Sequence, residues 1–169
     1  MKIKIKICGV SDLNTMSTIS NLNIDYVGLV FFEKSPRNVT IDKAKSLISY
    51  LNNKTKIVAL TVNASDQFLK NIVFNLSPDY LQLHGEESPY RCFEIKKKFK
   101  TKIIKAISAK SSRILNFELN KYIPITDEII VDSPKDHLPG GNGKTFNWKF
   151  LKKRKKKDRL AIGRRNKFK

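Results

Sequence analysis

Short apolar runs recur along this chain roughly every 20–30 residues, and that rhythm constrains the fold more than any other feature. The runs are residues 3–8, 26–31, 57–62, 80–84, 103–107 and 129–133. Each is apolar at its centre or alternates briefly, as parallel strands covered by helices do. The gaps are long enough for a crossover helix each time. Helix signals fill most of them. Ser11 and Asp12 can cap a helix running to about residue 20. Thr40 precedes a segment with apolar positions at Ile41, Ala44, Leu47, Ile48 and Leu51. Ser65 and Asp66 lead a helix expected to turn Phe68, Ile72 and Val73 inward. Ser88-Pro89 opens another, with proline in the favoured first turn. Asn147 can cap a helix from Trp148 onward. Six βα units result, and two architectures accommodate them: an open doubly wound sheet, or an eight-stranded barrel lacking its last part. Reactive residues gather where strands end, at Cys8, Phe32 to Arg37, Asn63, His84 and Asp132. A barrel collects all such ends around one mouth, which favours a parallel (β/α)8 TIM-type barrel, incomplete, with about six to seven βα units.

Charge bears on the partner. The net charge is +19, which first suggests nucleic acid. However, residues 152–169 carry 11 Lys/Arg against one Asp, so more than half of the excess sits in a short terminal stretch. That stretch has no interleaved aromatic except Phe168 and no recognition motif, so no nucleic-acid partner is expected. The chain reads as a barrel body over residues 1–151 and a basic tail over 152–169, expected to be disordered by like-charge repulsion. No run of about 18 apolar residues occurs, so no membrane partner is expected. The alternating start lacks the apolar core of a signal peptide, and a cytoplasmic location is expected. Cys8 and Cys92 provide neither a disulfide framework nor metal spacing.

The stretch 129–148 carries the strongest chemical signal. Ile129, Ile130 and Val131 lead to Asp132, then a glycine-rich segment follows with Gly140, Gly141 and Gly143. A carboxyl at a strand's C-terminal end, partly withdrawn from water, suits a general acid; equally it could cap the following turn. The glycines could present backbone N–H groups to an anion, or form an ordinary loop. The segment ends Gly-Lys-Thr, but a P-loop requires glycine where Leu138 stands. Cys8 reads either as a small buried hydrophobe or as a thiolate base, with Lys6 on the same face of the strand to supply charge. Gln82 and His84 share one strand face and could form a structural pair or line the mouth. Arg37 could hold a carboxylate or phosphate, or simply be solvated. His137 reads as a surface residue and Cys92 as a helix-packing one.

Several of these segments, in order, resemble the phosphoribosylanthranilate isomerase family. They are Lys6-Ile7-Cys8-Gly9, Gly28 to Phe32 with Ser35-Pro36-Arg37, Leu60 to Asn63, Leu81-Gln82-Leu83-His84-Gly85, Ile104 to Ile107, and Val131-Asp132-Ser133 with Gly140 to Trp148. Each alone is weak; together and in family order they are specific. The resemblance implies a barrel isomerase of tryptophan biosynthesis. It would use no cofactor and no metal, and would convert an aminoaldose to an aminoketose by an Amadori rearrangement. It implies Asp132 as general acid and Cys8 as general base. Arg37, Gln82, His84 and the loop with Gly140 and Gly141 would bind a small phosphorylated substrate. Neighbouring enzymes of the pathway are implied as partners. The alternatives are a basic nucleic-acid-binding protein or another phosphate-binding barrel enzyme.

The resemblance also implies two further βα units with a phosphate-binding loop. In their place stand the lysine-rich residues 152–157 and then Leu160 to Lys167. Arg164-Arg165-Asn166 can be encoded AGG-AGG-AAT, which shifted by one base reads Gly-Gly-Ile, as the expected strand would. A frameshift within the A-rich tract is therefore expected, with poor folding or low activity of this chain as its consequence. Resequencing the gene through this tract tests it: no downstream frame encoding the remaining strands would end the idea.

Overall fold

The computed structural model describes residues 3–22, 24–108, 111–132 and the backbone of 160–162. Among the described residues, seven parallel strands lie in sequence order: β1 (Lys6–Cys8), β2 (Tyr26–Phe31), β3 (Lys56–Thr61), β4 (Tyr80–Leu83), β5 (Lys102–Ser108), β6 (Glu128–Asp132) and β7 (Leu160–Ile162). Strand order never reverses, as in a barrel and unlike a doubly wound sheet. Side chains prove the curl. Tyr26 Oη on β2 donates to Glu128 Oε1 on β6 at 2.9 Å. In a flat sheet those strands would be four spacings, about 19 Å, apart.

Five helices of the described residues pack outside: α1 (Leu13–Asn21), α2 (Ile41–Ile48), α3 (Asp66–Leu76), α4 (Pro89–Phe99) and α5 (Ser112–Tyr122). Each begins at a side-chain cap, in order Asp12, Thr40, Ser65, Ser88 and Ser111, which accepts a hydrogen bond from the backbone N–H three residues on. The sequence reading did not place α5. Its buried stripe of Leu115, Leu119 and Tyr122 follows a helical spacing, but polar residues between them blur it. On α3 the expectation for Phe68 is corrected: it is exposed, and Leu69, Ile72 and Leu76 form the buried stripe. Phe68 lies at the edge of that stripe. Val73, at the opposite edge, is half-buried against the core.

The larger core lies between sheet and helices and includes Val27, Leu29, Phe31, Ile103, Ile107 and Val131. The barrel interior holds a smaller cluster of Tyr26, Val58, Tyr80, Ile104 and Ile130. The two-residue strand period then assigns Cys8, Gly28, Gln82 and Asp132 to the inner face.

At the N-terminal end a carboxylate device recurs. Asp25, Asp79 and Asp127 each directly precede an even-numbered strand and accept from Ile5 N, Ile57 N and Ile103 N respectively, each at 2.8 Å. Each thus ties the start of one strand to its predecessor in the sheet. Within the segment read as a basic tail, Leu160–Ile162 pairs with β6. The rest of that segment, together with Gly140, Gly141, His137 and the helix expected after Asn147, lies outside the described residues.

Candidate active site

Strand C-termini converge on one mouth, and Cys8, His84 and Asp132 reach it from β1, the end of β4 and β6. His84 Nε2 lies 3.4 Å from Asp132 Oδ2, a separation slightly longer than a normal hydrogen bond. Their side chains are 12% and 16% exposed, sheltered yet reachable from the mouth. Below His84, Gln82 is buried and its Nε2 lies 2.9 Å from His84 Nδ1. Gln82 Oε1 is buried without a hydrogen-bond partner among the described residues.

Gly28 makes room for the thiol. A Cβ there would sit 2.7 Å from Cys8 Sγ and 2.9 Å from Lys6 Nζ, so thiol and ammonium share the space above that glycine. Arg37 is brought to the same place by a tight loop. Asn38 Oδ1 accepts from Phe32 N at 2.8 Å, Ser35 N donates to Phe32 O, and Arg37 N donates to Ser35 Oγ. The guanidinium thereby lies over Gly9, with Nη1 donating to Cys8 O at 3.3 Å. Gly9 has φ +82°, a conformation glycine adopts freely, and a side chain there would collide with Arg37. Arg37 and Cys8, distant in sequence, are thus brought together, as are His84 and Asp132. Cys92 is a different thiol: fully buried on α4, with burial pushing its pKa up to about 11, it packs as a hydrophobe.

Sequence reasoning missed a cluster behind the mouth. Lys105 and Glu87 side chains are 2% and 3% exposed and meet at 2.9 Å. Lys105 Nζ also donates to Leu83 O at 3.1 Å and Gly85 O at 2.9 Å, filling its three donor positions. Glu87 Oε1 accepts from Asn63 N at 2.8 Å and Gly85 N at 3.2 Å, while Tyr122 Oη donates to Glu87 O. Asn63, at φ +48°, caps Glu86 N through Oδ1. The available signal was a lysine amid the apolar residues Ile103, Ile104, Ala106 and Ile107, where an unpaired charge could not be buried. Among the described residues no group of three or more His, Cys, Asp or Glu could hold a metal ion.

A parallel barrel that gathers a carboxyl, an imidazole, a thiol and a guanidinium at its C-terminal mouth defines an enzyme of the barrel class. A family model described as N-(5'phosphoribosyl)anthranilate (PRA) isomerase matches residues 5–164. The chain belongs to that family. It is 41% identical over 155 residues to the N-(5'-phosphoribosyl)anthranilate isomerase of Rhodopseudomonas palustris (strain BisB5), covering 90% of this chain and 71% of that one. Among solved structures, phosphoribosyl anthranilate isomerase from Thermotoga maritima superposes with a TM-score of 0.75 at 28% identity, covering 89% of this chain and 70% of the other. A phosphoribosyl anthranilate isomerase in complex with reduced 1-(o-carboxyphenylamino)-1-deoxyribulose 5-phosphate matches with a TM-score of 0.68 at 27% identity, over 79% of this chain and 66% of that one. No helix among the described residues is long and apolar enough to cross a membrane.

Proposed function

We propose that this chain converts N-(5-phosphoribosyl)anthranilate to 1-(o-carboxyphenylamino)-1-deoxyribulose 5-phosphate, an isomerisation in tryptophan biosynthesis. The observation that carries the reading is one mouth with Asp132 on β6 and Cys8 on β1, with four strands between them in the sheet. Asp132 protonates the ribose ring oxygen, the C1–O bond breaks, and a Schiff base forms between C1 and the anthranilate nitrogen. Cys8 then takes the proton from C2; the C–H electron pair forms a C1=C2 double bond as the π pair of C1=N moves onto nitrogen. The resulting enolamine becomes the ketone as its hydroxyl proton leaves and C1 gains one. C1 is reduced and C2 oxidised, so the electrons stay within the sugar. An acid and a base on different walls suit this order of proton transfers.

Arg37 takes the anthranilate carboxylate as a two-pronged partner, a reading supported by its position over Gly9 beside Cys8. His84 lines the floor with Gln82 beneath it, and binding of the phosphorylated sugar is assigned to Gly140 and Gly141. The same reading carries a cytoplasmic site of action and association with neighbouring enzymes of the pathway, which co-fractionation with those enzymes would test.

Cys8→Ala and Asp132→Asn should each lower turnover by about 10²- to 10⁴-fold, the usual contribution of a positioned acid or base. Both side chains sit at the solvent-reachable mouth, so the denaturation midpoint should hardly move. Unimpaired turnover in either variant would remove that residue's role.

A further inference from the structure

The acid carboxyl has a partner with a partner of its own. His84 Nε2 faces Asp132 Oδ2 at 3.4 Å, and Gln82 Nε2 faces His84 Nδ1 at 2.9 Å. Gln82 is 2% exposed and lies between Leu60 and Ile104 in the sheet register. An amide nitrogen carries two hydrogens and no available lone pair, so it donates and the ring nitrogen opposite accepts. Neutral His84 then carries its own hydrogen on Nε2, toward Asp132. Turning the amide over would let Oε1 accept from a hydrogen on Nδ1. It would also exchange one buried carbonyl oxygen without a partner among the described residues, Gln82 Oε1, for a buried NH2 group with two donors unmet among them. Each unmet buried group is costly, so the orientation that leaves fewer unmet is the better one.

We propose that Gln82 and His84 are positioning residues for Asp132. The buried amide fixes His84 as the Nε2–H tautomer, and that N–H takes Oδ2, so the acidic proton of Asp132 resides on Oδ1. The inference rests on Asp132 being the general acid of the preceding section. During ring opening the proton passes from Oδ1 to the sugar oxygen. The carboxylate left behind keeps an N–H donor on Oδ2, and a hydrogen bond to a charged acceptor is about twice as strong as a neutral one. The 3.4 Å separation shortens as that charge develops. Gln82 acts only through His84.

The test uses the full chain with two substitutions. Gln82→Met keeps the volume and removes the donor; Gln82→Glu presents an acceptor to Nδ1 instead. Long-range ¹H–¹⁵N correlation spectra of the His84 ring read the tautomer directly, and initial rates separate kcat from KM. The starting protein should show Nδ1 unprotonated and Nε2 protonated. Gln82→Met should mix the tautomers and lower kcat by about 10- to 100-fold, as loss of the outer partner that orients a metal-ligating histidine does, with KM within about twofold. Gln82→Glu should place a proton on Nδ1. A starting protein with its hydrogen on Nδ1, or Gln82→Met with tautomer and kcat unchanged, overturns the proposal. The spectra also separate the two readings. Full turnover by Asp132→Asn with His84 still in the Nε2–H form removes the acid assignment. An Nδ1–H histidine with Asp132→Asn inactive removes only the relay.

Discussion

Lys105→Met should cost about 3–5 kcal/mol of stability, the penalty for breaking a buried ion pair by removing one partner. Methionine fills most of the space of the lysine stem, so little of the loss comes from a cavity. The loss comes from what the ammonium leaves behind. A Glu87 carboxylate only 3% exposed keeps just Asn63 N and Gly85 N as donors among the described residues. Leu83 O and Gly85 O each lose the N–H they accept. Against the 5–15 kcal/mol typical of a domain, this is a large fraction. Glu87→Gln should also destabilise, because the amide can turn one oxygen to Asn63 N and Gly85 N only by turning its NH2 toward the ammonium. The double variant Lys105→Met/Glu87→Gln buries no charge, and its amide can donate where the ammonium stood. It should therefore be more stable than Lys105→Met by at least about 1 kcal/mol, well outside the additivity of independent sites. Urea titrations followed by circular dichroism, with m held common, give all three values. A Lys105→Met loss below about 1 kcal/mol, or a double variant equal to the sum of the singles, would refute the reasoning.

Two further outcomes follow from the geometry. Gly28→Ala places a methyl group 2.7 Å from Cys8 Sγ and 2.9 Å from Lys6 Nζ, so it should displace the thiol and cut turnover far more than it lowers the melting temperature; a variant with normal kcat would show that the thiol's position is unimportant. Tyr26, Tyr80 and Tyr122 are each pushed up to about 12, burial being the first cause in all three, followed by the Glu128 hydrogen bond, the Glu128 charge and Cys92 respectively. The folded chain holds these protons more tightly than the unfolded one, whose tyrosines titrate near 10. Stability should thus be fully present below pH 10 and fall as pH rises from 10 to 12. Denaturation midpoints across that range check it, and Tyr26→Phe should flatten the fall.

The first six strands were legible because each centres on a short apolar run, rich in β-branched residues in all but β4. The observed β2 coincides with the expected segment, and β3 is displaced from it by one residue. Asp12, Thr40, Ser65 and Ser88 announced four helices through local capping chemistry. Helix α5 escaped because Arg113, Asn116, Glu118 and Asn120 interrupt its apolar stripe, and only packing against β5 distinguishes it from a polar connection. Cys8, His84 and Asp132 could be singled out because reactive residues at the ends of apolar strands are unusual. Their mutual arrangement could not, since the 3.4 Å between His84 and Asp132 depends on how far the sheet curls. The Lys105–Glu87 pair was hidden for the same reason: Glu87 is ordinary in a loop until folding buries it against Lys105.

The two ends of the barrel are stabilised by different faces of the same strands, and this is what leaves the mouth open for chemistry. At the closed end, Tyr26 Oη on β2 joins Glu128 on β6 inside the barrel, and Lys4 Nζ donates to the same hydroxyl at 3.0 Å. Were the mouth braced in this way, the inner positions of Cys8, His84 and Asp132 would be occupied by structural bonds. It is braced instead from outside. Lys105 lies on the helix-facing side of β5, between Ile103 and Ile107 of the larger core. Its ammonium takes Leu83 O and Gly85 O, the carbonyls of the residues flanking His84, while His84 N donates to Thr61 O at 2.9 Å. The backbone around His84 is therefore held by groups outside the barrel interior, and the imidazole is left to be oriented by Gln82 and Asp132. Because burial at that site makes the ion pair expensive to break, the placement of His84 draws on core stability rather than on contacts within the mouth. Loss of Lys105 should then reach the active site through two peptide groups, without touching a residue that meets the substrate.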